Sequence, residues 1–257
     1  MPIDVSMRRL GCIALSLLLA AFFASREAGD RVVSASNAGD IMNEQARRSS
    51  GEHLTADHTI SDLLNHPAFA GFGRLLLPWD DRTYDGSMRL RDVRSLLPYH
   101  SQVDPRTVVS ALNHMIDDVN AGKMIFYEFY TAEEKKEDPA KSNTGLFFFR
   151  GKPGAPFAVI SPGGGFSYVG SLHEGFPYAT TISKQGYNGF VLRYRAGAGG
   201  SVATRDLAAA ISYVFRNARM FGVSTEVSRI FASWNQLDRW LRQVEGSVQS
   251  SRSASAG

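Results

Sequence analysis

Two short apolar runs flanking a segment with helical period constrain this chain more than anything else in it. Pro156 to Ser161 and Asn188 to Arg195 read as strands, and between them Leu172 to Gln185 reads as a helix ended by Gly186. An apolar run of that length is the kind buried on both faces of a parallel sheet. A second helix follows. Thr204 is its expected cap, and Leu207, Ala210, Ile211, Val214, Phe215, Ala218 and Phe221 form one apolar face closed by Gly222. Ser228 to Trp234 reads as a further strand. Strands alternating with amphipathic helices make βαβ units, so the expected fold is α/β, with a mostly parallel sheet carrying helices on both faces.

The residues upstream extend this pattern. Asp104 followed by Pro105 is a good helix start, because a side-chain cap precedes a proline at the position where a missing N–H is harmless. Val108, Val109, Leu112, Ile116 and Val119 then recur at helical spacing, and Gly122 closes the segment. Met124 to Tyr130 and Gly145 to Arg150 are β-like runs that suit an antiparallel pair. The charged loop Thr131 to Asn143 separates them. Leu75-Leu76-Leu77-Pro78-Trp79 and Leu96-Leu97-Pro98 are apolar stretches suited either to covering the sheet or to walling a substrate site.

The first 58 residues have a different texture. Arg8-Arg9 precedes an uncharged run from Leu10 to Ala24 that ends in small residues, the layout of a secretory signal peptide over residues 1–25. That run is about fifteen residues, short of the roughly twenty that a spanning helix requires. The protein is therefore expected to be secreted or extracytoplasmic, with an uncleaved membrane anchor as the alternative. Residues 26–58 lack hydrophobic period and read as a disordered linker, with the folded part starting at Thr59. The single cysteine, Cys12, excludes an internal disulfide and a multi-cysteine metal site. Hydrophobic content of 44% and charged content of 21% place the rest among globular proteins. A net charge of only +3, with no basic block interleaved with aromatics, argues against nucleic acid as a partner.

The chemistry lies in Pro162-Gly163-Gly164-Gly165-Phe166, which leaves a strand directly and precedes a helix. Three glycines there let backbone N–H groups crowd around a small charge with no side chains in the way. Phosphate cradling and oxyanion stabilisation both use such a loop. A phosphate loop wants Lys-Ser/Thr after the glycines, and a dinucleotide site wants G-x-G-x-x-G with a downstream acid; neither pattern is present. A tight turn without a ligand stays open as an alternative to the oxyanion reading.

From Ile60 to about Glu226 the chain resembles the secreted α/β-hydrolase esterases that act on acylated plant polysaccharides, the acetyl-xylan and feruloyl esterase group. The resemblance is carried by Ser161-Pro162-Gly163-Gly164-Gly165-Phe166, by Gly186-Tyr187-Asn188 leading into Val191-Leu192-Arg193-Tyr194-Arg195, and by Asp206-Leu207-Ala208-Ala209-Ala210. It implies a partial α/β-hydrolase fold in which Gly163, Gly164, Gly165 and Phe166 form an oxyanion hole. Arg193 and Tyr194 would lie at the end of the next strand, and Asp206 would be a structural first-turn acid rather than a catalyst. His173 and Glu174 are weak candidates for substrate-proximal groups. For His173 the blander alternative is solvation of a helix start. The implied partners are small-molecule or polysaccharide esters, with no stable membrane partner beyond the signal segment. No metal or organic cofactor is implied, since ester hydrolysis by this route needs none.

The same resemblance places the nucleophile at a G-x-S-x-G elbow just past Ser228 to Phe231. Ile230-Phe231-Ala232-Ser233-Trp234-Asn235-Gln236 stands there instead. Ser233 is a weak candidate nucleophile, because Phe231 and Asn235 occupy the positions where glycines relieve the strained turn. All six histidines (His53, His58, His66, His100, His114 and His173) precede Ser233, whereas the family order is Ser, then Asp/Glu, then His. Residues 227–257 also lose the tidy helical texture and read as an aberrant, partly disordered tail, for which a frameshift or misassigned exon is the hypothesis. Absence of G-x-S-x-G coding from the other reading frames would exclude it. The chain is therefore expected to be an esterase-family protein lacking the groups for turnover. A secreted non-catalytic binding protein using the glycine-loop cleft is the alternative.

Overall fold

The computed structural model describes residues 51–97 and 102–231. Five strands form the sheet there: β1 (Phe126–Tyr127), β2 (Gly145–Phe149), β3 (Pro156–Ile160), β4 (Asn188–Arg193) and β5 (Ser224–Phe231). Their spatial order is β1-β2-β4-β3-β5. β1 pairs antiparallel with β2, and β2 antiparallel with β4, while β4 with β3 and β3 with β5 are parallel. Every strand except β2 thus runs the same way, which is the mostly parallel sheet the alternation implies.

Both faces are covered. Along β2, Phe147 and Phe149 turn to one face while Leu146 and Phe148 turn to the other, as the two-residue period of a strand requires. On the first face Phe147, Phe149, Ala158, Ile160 and Val191 pack against α2 (Pro105–Asn120) and α4 (Phe176–Lys184). Val108, Leu112 and Ile116 come from α2, and Phe176, Ala179 and Ile182 from α4. On the second face Phe148, Phe157, Val159, Phe190 and Leu192 meet Ala203, Ala210 and Val214 of α5 (Gly200–Arg216) and Phe221 of α6 (Ala218–Phe221). Phe148 and Phe190 stack with centroids 4.4 Å apart. Each fully buried side chain of this kind contributes on the order of 1.5–3 kcal/mol, so β2 and β4, buried along their whole length, anchor the molecule.

Several expected boundaries move, each for a local reason. Asp104 does cap α2, accepting the Arg106 N–H at 2.9 Å, and Gly122 ends it with φ 73°. The folded part begins before Thr59. Leu54 is buried in the first-face core, and Asn113 grips its backbone twice, accepting its N–H at 2.8 Å and donating to its carbonyl at 2.9 Å. Asn120 does the same for Gly51 at 3.1 and 3.0 Å. Residues 51–58 are therefore a strap docked along α2 rather than linker. Thr59 and Asp62 then form a reciprocal capping box on α1 (Ile60–Asn65).

The expected loop Thr131 to Asn143 is folded into α3 (Ala132–Glu137), with a capping box between Thr131 and Glu134, and a 3-10 turn over Pro139–Asn143. α5 starts at Gly200, not at Thr204. Thr204 lies inside it, its hydroxyl donating back to the Gly200 carbonyl at 2.9 Å. Asp206 consequently falls beyond the first turn. Phe215, expected on the buried face, is 45% exposed, with an edge contact to Phe157. β5 starts at Ser224, four residues before the expected strand, so the first residues assigned to the aberrant tail complete a strand. Residues 1–50 and 232–257, with Cys12, the signal segment and Ser233, lie outside the described residues. Among the described residues no helix is long and apolar enough to cross a membrane.

Candidate active site

The glycine loop leaves β3, an interior strand of the sheet flanked by β4 and β5. Ile160, the last residue of β3, pairs with Val191 of β4 on one side and with Phe231 of β5 on the other. The loop therefore opens beside the point where the chain leaves β5.

Three consecutive residues of the loop take positive φ: Gly164 at 152°, Gly165 at 56° and Phe166 at 63°. At Gly164 glycine is obligatory, because an added Cβ would lie 2.0 Å from the Tyr168 carbonyl oxygen. Phe166 is the one non-glycine residue with positive φ among the described residues, a conformation costing roughly 1–2 kcal/mol. Its surroundings hold it there. Its carbonyl accepts the Gly197 N–H at 2.7 Å, and its ring stands 6.4 Å from that of Tyr194 while remaining 47% exposed. Strain maintained in this way is characteristic of ligand-handling sites. The N–H groups of Gly164, Gly165 and Phe166 donate to no described residue.

Two side chains at the end of β4 brace the loop. The Tyr194 hydroxyl is directed at the carbonyls of Pro162 and Tyr168, 3.1 Å from each, and so ties the two flanks of the loop together. Burial pushes this hydroxyl well above its ordinary value, so it stays a protonated donor. Arg193 is fully buried. Its guanidinium donates to the carbonyls of Leu77 at 2.9 Å, Pro78 at 3.3 Å and Val169 at 3.4 Å, and it pairs with Asp80. Val169 in turn donates its N–H to Pro78 at 3.0 Å, and Trp79 packs on Tyr168 at 4.8 Å. The stretch Leu75 to Trp79 thus does one of the jobs the sequence left open and one it did not suggest: Leu76 and Leu77 cover the sheet, while Pro78 and Trp79 buttress the loop.

The other candidates separate clearly. Gly163 does not share the condition of its neighbours, because its N–H is taken by the Glu174 carboxylate at 2.7 Å. Glu174 lies on the π-helical turn Ser171–Gly175 that runs straight into α4, so the helix expected from Leu172 does start there, with a wide first turn. Beyond Glu174 lies a cleft of about 740 Å³ reaching Gln102, Asp104, Tyr178, Thr181 and Lys184. Burial, with the Glu174 charge adding to it, pushes the Tyr178 hydroxyl up.

His173 does not solvate a helix start. It is 4% exposed, with Nε2 held at 2.8 Å from the Val93 carbonyl. Asp206 is fully buried and occupied: it accepts from the Arg195 N–H at 2.9 Å, the Arg195 guanidinium at 2.6 Å and the Tyr130 hydroxyl at 2.7 Å. Arg195 also pairs with Asp138, which fastens the 131–143 excursion to the sheet. Asp206 therefore ties the end of β4 and Tyr130 to α5 from inside the helix, rather than serving as the first-turn acid the resemblance implied. Ser233 lies outside the described residues. Among the described residues no group of three or more His, Cys, Asp or Glu side chains is placed to hold a metal ion.

No family model matches the chain, and no curated protein matches it. Solved structures similar to part of it include an acetyl ester-xyloside bifunctional hydrolase from Caldicellulosiruptor lactoaceticus, at 19% identity over 41% of this chain and 40% of that one, with a TM-score of 0.36. An α/β hydrolase enzyme from a Medee basin deep-sea metagenome library is 25% identical over 34% of this chain and 40% of that one, with a TM-score of 0.32. A carboxylesterase from Lactobacillus plantarum is 24% identical over 34% and 35%, with a TM-score of 0.30. The chain spans 35% to 40% of the length of these three solved chains.

Proposed function

We propose that residues 51–231 carry the oxyanion-binding part of a carboxylic-ester hydrolase of the α/β-hydrolase type, acting on small-molecule or polysaccharide esters. The observation that carries this reading is the backbone of Gly164, Gly165 and Phe166. It shows three successive positive φ angles in the loop that leaves the interior parallel strand β3, with three N–H groups given to no described residue. Such donors stabilise the negative charge that develops on an ester carbonyl oxygen as it becomes tetrahedral. A phosphate-binding reading lacks the Lys-Ser/Thr that would follow the glycines, and Phe166-Ser167 stands there instead.

The topology supports the same assignment. A nucleophile placed just after β5 would emerge beside the loop, since Phe231 is in register with Ile160. Ala232-Ser233-Trp234-Asn235 follows Phe231, without the glycines of an elbow. An oxyanion donor is worth about 10²–10³-fold in turnover, whereas loss of an activated serine or its histidine costs about 10⁶-fold. Residues 51–231 are accordingly proposed to bind the tetrahedral state through the glycine loop, with no glycine elbow at Ser233 to present a nucleophile to it. Its N-terminal segment, with Arg8-Arg9 before an apolar run, is proposed to direct export. A mature N-terminus still at Met1 after export would contradict that part.

Calorimetry with methyl butylphosphonate, a monoanionic tetrahedral mimic, tests the site. Saturable binding that survives excess inorganic phosphate and NAD, and that is lost in Gly164→Ala, is the expected result. Displacement by phosphate or NAD would reassign the loop to phosphate chemistry.

A further inference from the structure

We propose that Glu174 is a positioning residue of the glycine loop, whose carboxylate closes a ring of hydrogen bonds that holds the loop's base. This rests on the oxyanion reading of the loop. The ring has three members. Gly170 donates its N–H to the Gly163 carbonyl at 2.9 Å, Gly163 donates its N–H to the Glu174 carboxylate at 2.7 Å, and Glu174 donates its N–H to the Gly170 carbonyl at 2.8 Å. Residues 164–169 form a lobe that both leaves and returns through this ring.

Each corner is fitted to the others. A Cβ on Gly163 would lie 2.9 Å from the Glu174 carboxylate, and one on Gly170 would lie 3.2 Å from the Gly163 carbonyl oxygen. The π turn brings the carboxylate into reach, with the Gly175 N–H donating back to the Gly170 carbonyl at 3.2 Å. A bond from a backbone N–H to a carboxylate is charge-assisted, about twice as strong as a neutral one.

A carboxylate beside an anion-binding loop is unfavourable by Coulomb repulsion alone. Its presence there is explained if it acts through geometry, by occupying the Gly163 N–H and fixing the residue from which the three donors proceed. Charge and geometry predict opposite effects of substitution. Removing only the charge relieves repulsion, whereas removing the acceptor releases the loop.

The test compares ¹⁵N-labelled full-length protein with Glu174→Gln and Glu174→Ala, reading methyl butylphosphonate affinity and the free-state amide resonances of Gly163 to Phe166. Glu174→Gln keeps an oxygen for the Gly163 N–H, so it should bind as tightly as the unsubstituted protein or more tightly. Glu174→Ala should bind about tenfold more weakly, the size of one charge-assisted hydrogen bond, and broaden or shift the loop amides. Tighter binding by both variants would show that only charge matters and overturn the proposal. So would a Glu174→Ala protein with unchanged affinity and loop resonances.

If the unsubstituted protein fails to bind the phosphonate, the oxyanion reading falls. Glu174 is then still judged by the free-state resonances of Gly164 to Phe166, which must change in Glu174→Ala and hold in Glu174→Gln, where only the Gly163 amide moves as its acceptor loses charge. If Glu174→Ala does not fold, amide exchange decides. Slow exchange of the Gly163 N–H in both the unsubstituted and Glu174→Gln proteins upholds the ring, and solvent-like exchange in either overturns it.

Discussion

Arg193 ends a strand that is buried throughout and apolar but for Asn188, and it shows how much of the site depends on a single side chain. Its guanidinium serves three carbonyls and Asp80, linking the Leu77–Pro78 segment to Val169 behind the glycine loop. Replacing it with Met removes the donors while filling much of the volume, and should destabilise the protein by about 3 kcal/mol in urea unfolding, because carbonyls and an aspartate lose a buried partner. A change under about 0.5 kcal/mol, the range of ordinary surface substitutions, would show that the clamp contributes little.

His114 makes a pH-dependent contribution. Its ring stacks at 5.7 Å on Phe149, and burial, opposed by the charges of Asp117 and Asp118, lowers its affinity for a proton below the ordinary 6.5. The unfolded chain then binds the proton more readily than the folded one, so this stability is fully present above pH 6.5 and is lost as pH falls below it. Asp62 and Asp104, whose carboxyls are held down by hydrogen bonds from Thr59 and Arg106, act in the same direction only near and below 3.8. Unfolding free energies at pH 7.5 and 5.5 should therefore converge in His114→Phe. An undiminished difference would assign the effect to another group.

Elements were legible where pattern and burial coincide. β2, β3 and β4 are short runs buried nearly throughout, and α2 carries Asp104, Pro105 and an apolar stripe, so sequence period and structure agree. The misreadings share a cause: residues whose local chemistry allows two roles. Thr204 has a good capping side chain, yet Gly199 with φ 83° starts the helix and Thr204 bonds back inside it. The 131–143 segment looked like a charged loop, although Thr131 and Glu134 spell a capping box. The strap of residues 51–58 has no hydrophobic period to announce it, since it is held largely by backbone bonds to two asparagines 59 and 69 residues away. Asn113→Ala should remove both bonds to Leu54 and lower stability by about 1–2 kcal/mol, with faster amide exchange at Leu54. Unchanged exchange there would mean the strap is held by other contacts.

At the scale of the whole molecule, the sheet order brings together what the sequence keeps apart. Pairing β3 with β5 sets the start of the glycine loop beside Phe231, although 71 residues separate Ile160 from Phe231. The position of the glycine loop was legible, because Pro162 to Phe166 directly follows an apolar strand-like run and precedes a helical one. The division of labour within it was not: Gly163 belongs to the scaffold through Glu174, and Tyr194 and Arg193 act from the next strand. Such roles follow from side chains meeting across long sequence distances, which no local pattern encodes.

Gly164, Gly165 and Phe166 are proposed to form an anion-binding set distinct from Gly163. This assignment is tested most directly by titrating ¹⁵N-labelled protein with methyl butylphosphonate and following every amide. Saturable downfield movement of those three amides, with Gly163 nearly still, is the predicted result. Movement of none of the three at saturating ligand, or of amides elsewhere in the molecule instead, would contradict the account.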